Sequence, residues 1–287
     1  MFKRLIIPLD GSRLAEAILP TAIRLAEKLS AHATLVHVIE RNAPRKIHGE
    51  PHLSEADEAQ TYLEEIRSRF PPGIAVETHV HADAIEDVAG SIAEHAREFA
   101  SDLVLMCTHG RSGLRHLLFG TIAQKVAASG VPVWLVRPDT PAPTSGPFLV
   151  PLDGTTVREA ALPAAAALAQ ALGERLHLLM IIPTLGTLTG SKSASSLLLP
   201  ATTKEMLEFA HEDAKKYLHS LPLPPRTTAR IRRGDATEWI TQEAQIENAS
   251  LIILGTSART GMDAFWSGSV APRVSRHTHL PILLIPG

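Results

Sequence analysis

The chain contains itself twice. Leu5-Ile-Ile-Pro-Leu-Asp-Gly-Ser12 returns as Phe148-Leu-Val-Pro-Leu-Asp-Gly-Thr155, and Ala17-Ile-Leu-Pro20 returns as Ala160-Ala-Leu-Pro163, both at an offset of 143 residues. Later in each copy, Phe119-Gly-Thr121 returns as Ser267-Gly-Ser269 at an offset of 148. A period this long exceeds any solenoid unit and marks a duplicated whole domain. The second copy has gained about five residues between these landmarks, a loop-sized change. At 287 residues the chain is long enough for each copy to bury its own core. The expected division is residues 1–138, a Pro-rich stiff linker at 139–147, and residues 148–287.

Within each copy, short apolar runs alternate with segments of three- and four-residue apolar spacing. In the first copy Arg4–Leu9 is expected as a buried strand. Ser12–Leu29 follows as a helix capped by Ser12, then Thr34–Ile39 as a strand and Glu55–Arg69 as a helix. Ala75–Val80 and Asp83–Phe99 repeat the strand–helix pair. Leu103–Cys107, Thr121–Ala128 and Pro132–Val136 complete the copy, and the second copy repeats the pattern through Leu251–Gly255 and Pro281–Ile285. Alternating β and α with apolar strands predicts an α/β fold: two tandem doubly wound parallel-sheet sandwiches of Rossmann-like type. The terminal strands Val131–Val136 and Leu280–Ile285 are very apolar. As open edges they would invite aggregation, and pairing the two would cover both.

Net charge is −2 and aromatics are 4%, which removes both the basic field and the stacking surface of a nucleic-acid binder. No apolar run is long enough to span a bilayer. The run after Lys3-Arg4 stops at Asp10, too short for a signal peptide. Cys107 is the sole cysteine, so the fold needs no oxidising compartment. A cytoplasmic protein is expected.

In an open α/β sheet, ligands lie beyond the carboxyl ends of the strands. The first strand of each copy ends in Asp-Gly, at Asp10 and Asp153. This is either a plain turn or a carboxylate placed to accept from a ligand. After the fourth strand, copy one reads Cys107-Thr-His-Gly110-Arg-Ser-Gly-Leu-Arg-His-Leu-Leu-Phe-Gly120-Thr121. Copy two reads Gly255-Thr-Ser-Ala258-Arg-Thr-Gly-Met-Asp-Ala-Phe-Trp-Ser-Gly268-Ser269. Glycines followed by a hydroxyl at a helix start suit an anion, because backbone amides point at it and no side chain obstructs it. The plainer reading is a tight β–α connection.

These loops resemble the universal stress protein motif Gly-x2-Gly-x9-Gly-(Ser/Thr), and the likeness covers nearly the whole chain, copy by copy. In that family the last strands of two domains commonly pair across a two-fold axis, which implies antiparallel contact between Val131–Val136 and Leu280–Ile285 and an internal pseudo-dimer. The likeness also implies an adenine nucleotide, ATP, held by Asp10, Val38, Gly110, Ser112, Gly113, Gly120 and Thr121 in copy one. In copy two it implies Asp153, Gly255, Gly268 and Ser269. Each copy departs once: Cys107 replaces the first motif glycine of copy one, and Ala258 the second of copy two. A methyl at Ala258 sits where the family brings its main chain close to phosphate, so copy one is the expected principal site. No Walker A lysine and no Gly-x-Gly-x-x-Gly is present. Neither a nucleophile–base pair nor a Mg²⁺-binding acidic pair is evident, so a regulatory binder rather than an enzyme is expected, one that works through a protein partner, with a second copy of the chain as a candidate. The alternative is a nucleotide-independent interaction scaffold. An adenylyl transferase ranks last, its His-x-x-His signature being absent.

Histidine is frequent, with 14 residues. His79 and His81 share a strand face, and His48 and His52 flank Glu50 in the preceding insertion. Brought together, His48, His52, His79 and His81 would suit zinc. The simpler expectation is polar strand tips and loops with no metal. His37, between two valines, is expected as a hydrogen-bonded core residue. Lys215, Lys216, Arg226, Arg230, Arg232 and Arg233 are expected as a solvated rim.

Overall fold

A computed structural model describes residues 1–47, 49–108, 121–138, 145–152, 161–182, 184, 201–256 and 270–287, and of 121, 124 and 201–209 the backbone alone. Copy one runs β1 (Arg4–Pro8), α1 (Arg13–Glu16), α2 (Leu19–Leu29), β2 (His32–Glu40), a small hairpin of β3 (Lys46–Ile47) and β4 (Glu50–Pro51), α3 (Ala56–Ser68), β5 (Val76–Ile85), α4 (Val88–Glu98), β6 (Leu103–Cys107), α5 (Thr121–Ala128) and β7 (Val133–Val136). Copy two runs β8 (Phe148–Leu152), α6 (Ala161–Leu172), β9 (Leu176–Ile182), α7 (Ala201–Ser220), β10 (Thr227–Arg233), α8 (Ala236–Ile246), β11 (Leu251–Thr256), α9 (Val270–His277) and β12 (Ile282–Pro286).

Ten strands form one sheet in the order β10-β9-β8-β11-β12-β7-β6-β1-β2-β5. Every neighbouring pair is parallel except β12 and β7, which run antiparallel with Leu283 opposite Trp134. The expected pairing of the two terminal strands is therefore present, and it closes both apolar edges. What remains exposed at the ends are β5 and β10, whose polar sequences discourage further pairing.

Alternation along the strands sorts the core into two layers. Leu5 and Ile7 join an apolar cluster under α2 and α3, which continues through Trp134 and Phe148 under α6 and α7. Ile6 joins the opposite cluster under α4, α5, α8 and α9. Each layer thus spans both copies. Arg24 of α2 reaches Glu174, just after α6, at 3.8 Å, and Arg137 donates to the Thr278 carbonyl at 3.2 Å.

Two helices differ from expectation. Ser12–Leu29 is not one helix but α1 and α2, broken at Ala17–Ile18. Pro20 lacks the N–H for a continuous helix, and its ring crowds the carbonyl four residues back. As an early residue of a new helix it fits without cost. The expected helix Asp83–Phe99 begins only at Val88, because β5 continues to Ile85, opposite Glu40 of β2 after a bulge. Strand pairing overrides local helix preference there.

The residues expected to end the linker are anchored. Ser250 donates from N to the Pro147 carbonyl at 3.0 Å and from Oγ to the Gly146 carbonyl at 2.7 Å. Gly146 has φ +134°, and a Cβ there would lie 2.5 Å from the Asn248 carbonyl oxygen. Only glycine lets the chain enter copy two this closely.

Candidate functional site

In copy one the strand order is β7-β6-β1-β2-β5. The chain passes from β1 to β2 on one side and places β6 on the other, so the order reverses between β1 and β6. That switch point is where an open α/β sheet leaves a crevice at its strand tips. Asp10 sits just beyond β1, and Cys107 ends β6. Backbone and hydroxyl of Ser12 both donate to Asp10 Oδ1, at 2.9 and 2.6 Å, and Ser12 Oγ accepts from the Ala15 amide at 3.2 Å. Ser12 is thus the expected N-cap of α1.

Burial, with Asp10 adding to it, pushes the Cys107 thiol up to about 12. A thiol so placed stays protonated at neutral pH. α5 begins at Thr121, so a helix N-terminus follows the glycine-rich segment.

The hairpin segment folds over this tip. Leu53 packs on Gly11, which has φ +86°; a Cβ there would meet Leu53 Cδ1 at 2.8 Å. His37 is 2% exposed, and its Nδ1 and Nε2 meet the Leu9 and Leu53 carbonyls at 2.8 and 3.2 Å. It is the structural histidine expected. Glu50 accepts from the Arg13 amide at 2.7 Å, which sets a carboxylate at the start of α1. His52 lies nearby, its imidazole held below the ordinary range by burial, against the pull of Glu40.

Val38 is buried in the apolar layer under α4. In copy two the same reversal falls between β8 and β11, and Gly255 lies on β11 beside Ile285 of β12. Gly110, Ser112, Gly113, Gly120, Asp153, Gly268, Ser269 and His48 lie outside the described residues.

The universal stress protein family profile matches this chain twice, over residues 1–137 and 145–286. The chain belongs to the universal stress protein family. A universal stress protein of Mycolicibacterium smegmatis is 23% identical over 304 residues, covering 98% of this chain and 96% of its own. One from Methanocaldococcus jannaschii is 27% identical over 145 residues, covering 48% of this chain and 83% of its own. Among solved structures, a universal stress protein from Archaeoglobus fulgidus superposes with a TM-score of 0.66 at 16% identity, over 99% of this chain and 96% of the other. A Pseudomonas aeruginosa protein of unknown function does so with a TM-score of 0.68 at 17% identity, covering 99% and 93%. Among the described residues, no helix is long and apolar enough to cross a membrane.

The histidines of the first universal stress protein repeat do not gather as the zinc arrangement required. His79 and His81 stand opposite Val36 and Val38 on β2 and so face α4, whereas His37 and His52 lie on the other face. His79 and His81 meet His95 of α4 instead. Sequence reasoning missed His95 because its partners lie on a different element. In the second repeat Lys215, Lys216, Arg226, Arg230 and Arg233 are exposed, as the expected rim requires, whereas Arg232 is half-buried. Arg232 binds the fully buried Glu243 at 2.8 and 2.9 Å, and Arg230 reaches Glu243 and Glu247 at 3.3 Å each. His177 completes this network at 3.2 Å from Glu243.

Proposed function

We propose that the chain is an adenine-nucleotide-binding regulatory protein, with its principal site at the β1–β6 crevice of copy one, where bound ATP changes what a protein partner meets and is not turned over. One observation carries this reading. Asp10 and the start of the glycine-rich segment after Cys107 flank the same switch point. A base placed near Asp10 would have its phosphates over that segment and the α5 N-terminus. The motif spacing agrees with this placement, and Ala258 argues for a weaker second site.

A second reading has its own support. Asp10 already accepts from Ser12 twice, and Leu53 covers Gly11. Both favour a nucleotide-independent interaction scaffold, at least while the hairpin keeps its place.

Isothermal titration with ATP separates the two. On the first reading the wild type binds. Asp10→Ala weakens binding by about 1–3 kcal/mol through loss of one acceptor, Gly120→Val abolishes it, and Asp153→Ala changes it little. Absence of binding in the wild type leaves the scaffold. Loss only in the copy-two variant moves the principal site to the other copy.

A further inference from the structure

The internal repeat makes the histidine cluster interpretable. Across copy one, Ile6, Thr34 and Glu77 stand side by side on β1, β2 and β5; across copy two, Leu149, His177 and Thr228 do so on β8, β9 and β10. Ile6 and Leu149 are repeat equivalents, so Glu77 corresponds to Thr228. Counting two and four residues onward, His79 corresponds to Arg230 and His81 to Arg232. α4 and α8 have the same length, and His95 and Glu243 are each the eighth residue. The same three positions between the outermost strand and its helix therefore hold Arg, Arg and Glu in copy two and three histidines in copy one.

Copy two satisfies its trio internally, because two guanidinium groups surround one buried carboxylate. Copy one has no carboxylate within its trio. His81 Nδ1 and His95 Nε2 lie 3.1 Å apart, and one nitrogen from each of the three rings lies within 4.8 Å of the others. His79 Nε2 is buried and has no hydrogen-bond partner. His95 Nδ1 stands 3.0 Å from Glu98 Oε2. A carboxylate accepts only, so His95 carries its proton on Nδ1 and turns the Nε2 lone pair toward the other two rings. Phe99 packs against His79 and His95 and closes the apolar side.

We propose that His79, His81 and His95 bind a divalent transition cation of the zinc type, with Glu98 orienting His95. Two nitrogens on a tetrahedral zinc at about 2.0–2.1 Å stand roughly 3.4 Å apart, close to the 3.1 Å between His81 and His95. Imidazole is the donor that suits this class of metal. Three protein nitrogens leave a fourth coordination position for water or an outside ligand.

Tag-free full-length protein, stripped with chelator, is titrated with Co²⁺ while its visible d–d bands are followed, and with Zn²⁺ by calorimetry. One equivalent should bind, with a Co²⁺ spectrum of low coordination number. His81→Gln should lower affinity at least about tenfold, Glu98→Gln about tenfold, and His52→Gln should leave it unchanged. The triple exchange His79→Arg, His81→Arg, His95→Glu transplants the copy-two solution and should abolish binding while keeping the circular dichroism of the wild type. Absence of a bound equivalent in the wild type overturns the proposal, as does undiminished binding in His81→Gln. If the triple variant does not fold, the half-buried His81→Gln decides alone.

Discussion

Ser12 serves two partners at once. Its hydroxyl caps α1 through the Ala15 amide and also donates to Asp10, holding that carboxylate at the strand tip. Ser12→Ala should cost about 1 kcal/mol in urea unfolding, the usual loss of an N-cap, and leave the fold unchanged. Gly11→Ala should cost about 1–2 kcal/mol in the same measurement, because a side chain at φ +86° is strained and its Cβ would press on Leu53. Both residues were legible in advance: Asp-Gly-Ser is a turn and a cap in any reading. What no local pattern disclosed is that Leu53, some forty residues onward, rests on that turn. His95 was hidden for the same reason, since nothing within α4 distinguishes a histidine facing a neighbouring strand from one facing water. The signal that could have found it is the repeat itself, which sets His79, His81 and His95 against Arg230, Arg232 and Glu243.

At the level of elements, strands were more legible than helix starts. β6 and α5 fall where the apolar pattern put them. α4 starts later than its sequence suggests because β2 pulls the preceding residues into the ladder, and α1 separates from α2 because of a single proline. α8 has a clearer start: Asp235 caps it through the Glu238 amide at 3.0 Å. Burial works to raise the Asp235 carboxyl, but the Glu238 and Thr237 amides and Arg273 outweigh it and leave the group below its ordinary value. A depressed folded-state value contributes stability above the unfolded-state value, near pH 4, and loses it as pH falls through the folded one. Asp235→Ala should therefore cost about 1 kcal/mol at neutral pH, with the difference from wild type narrowing below about pH 4 in acid titrations of the urea midpoint. In the middle of the sheet, under the same apolar layer, β12 is hydrogen-bonded to strands on both flanks. Leu283→Pro should cost about 3 kcal/mol or more, since no face of that strand can spare an N–H.

A single ten-stranded sheet and two apolar layers run through both copies. Unfolding in urea should then be a single transition, coincident by circular dichroism and by tryptophan fluorescence. Two separated transitions would show that the copies hold themselves up independently. The duplication was plain from the sequence, and the pairing of its terminal strands followed from their apolar character together with the family resemblance. That the layers fuse across the pairing emerges only when Trp134 and Phe148 are seen in one cluster. The reversal of direction at β7 and β12 has a consequence for company. Every carboxyl strand end of the first half points one way along the sheet, and every one of the second half points the opposite way. A single flat neighbour cannot lie on both rims. Two neighbours can, one at each extremity, without touching each other. Ligands at the two rims would therefore meet the molecule from opposite directions, with the shared sheet between them.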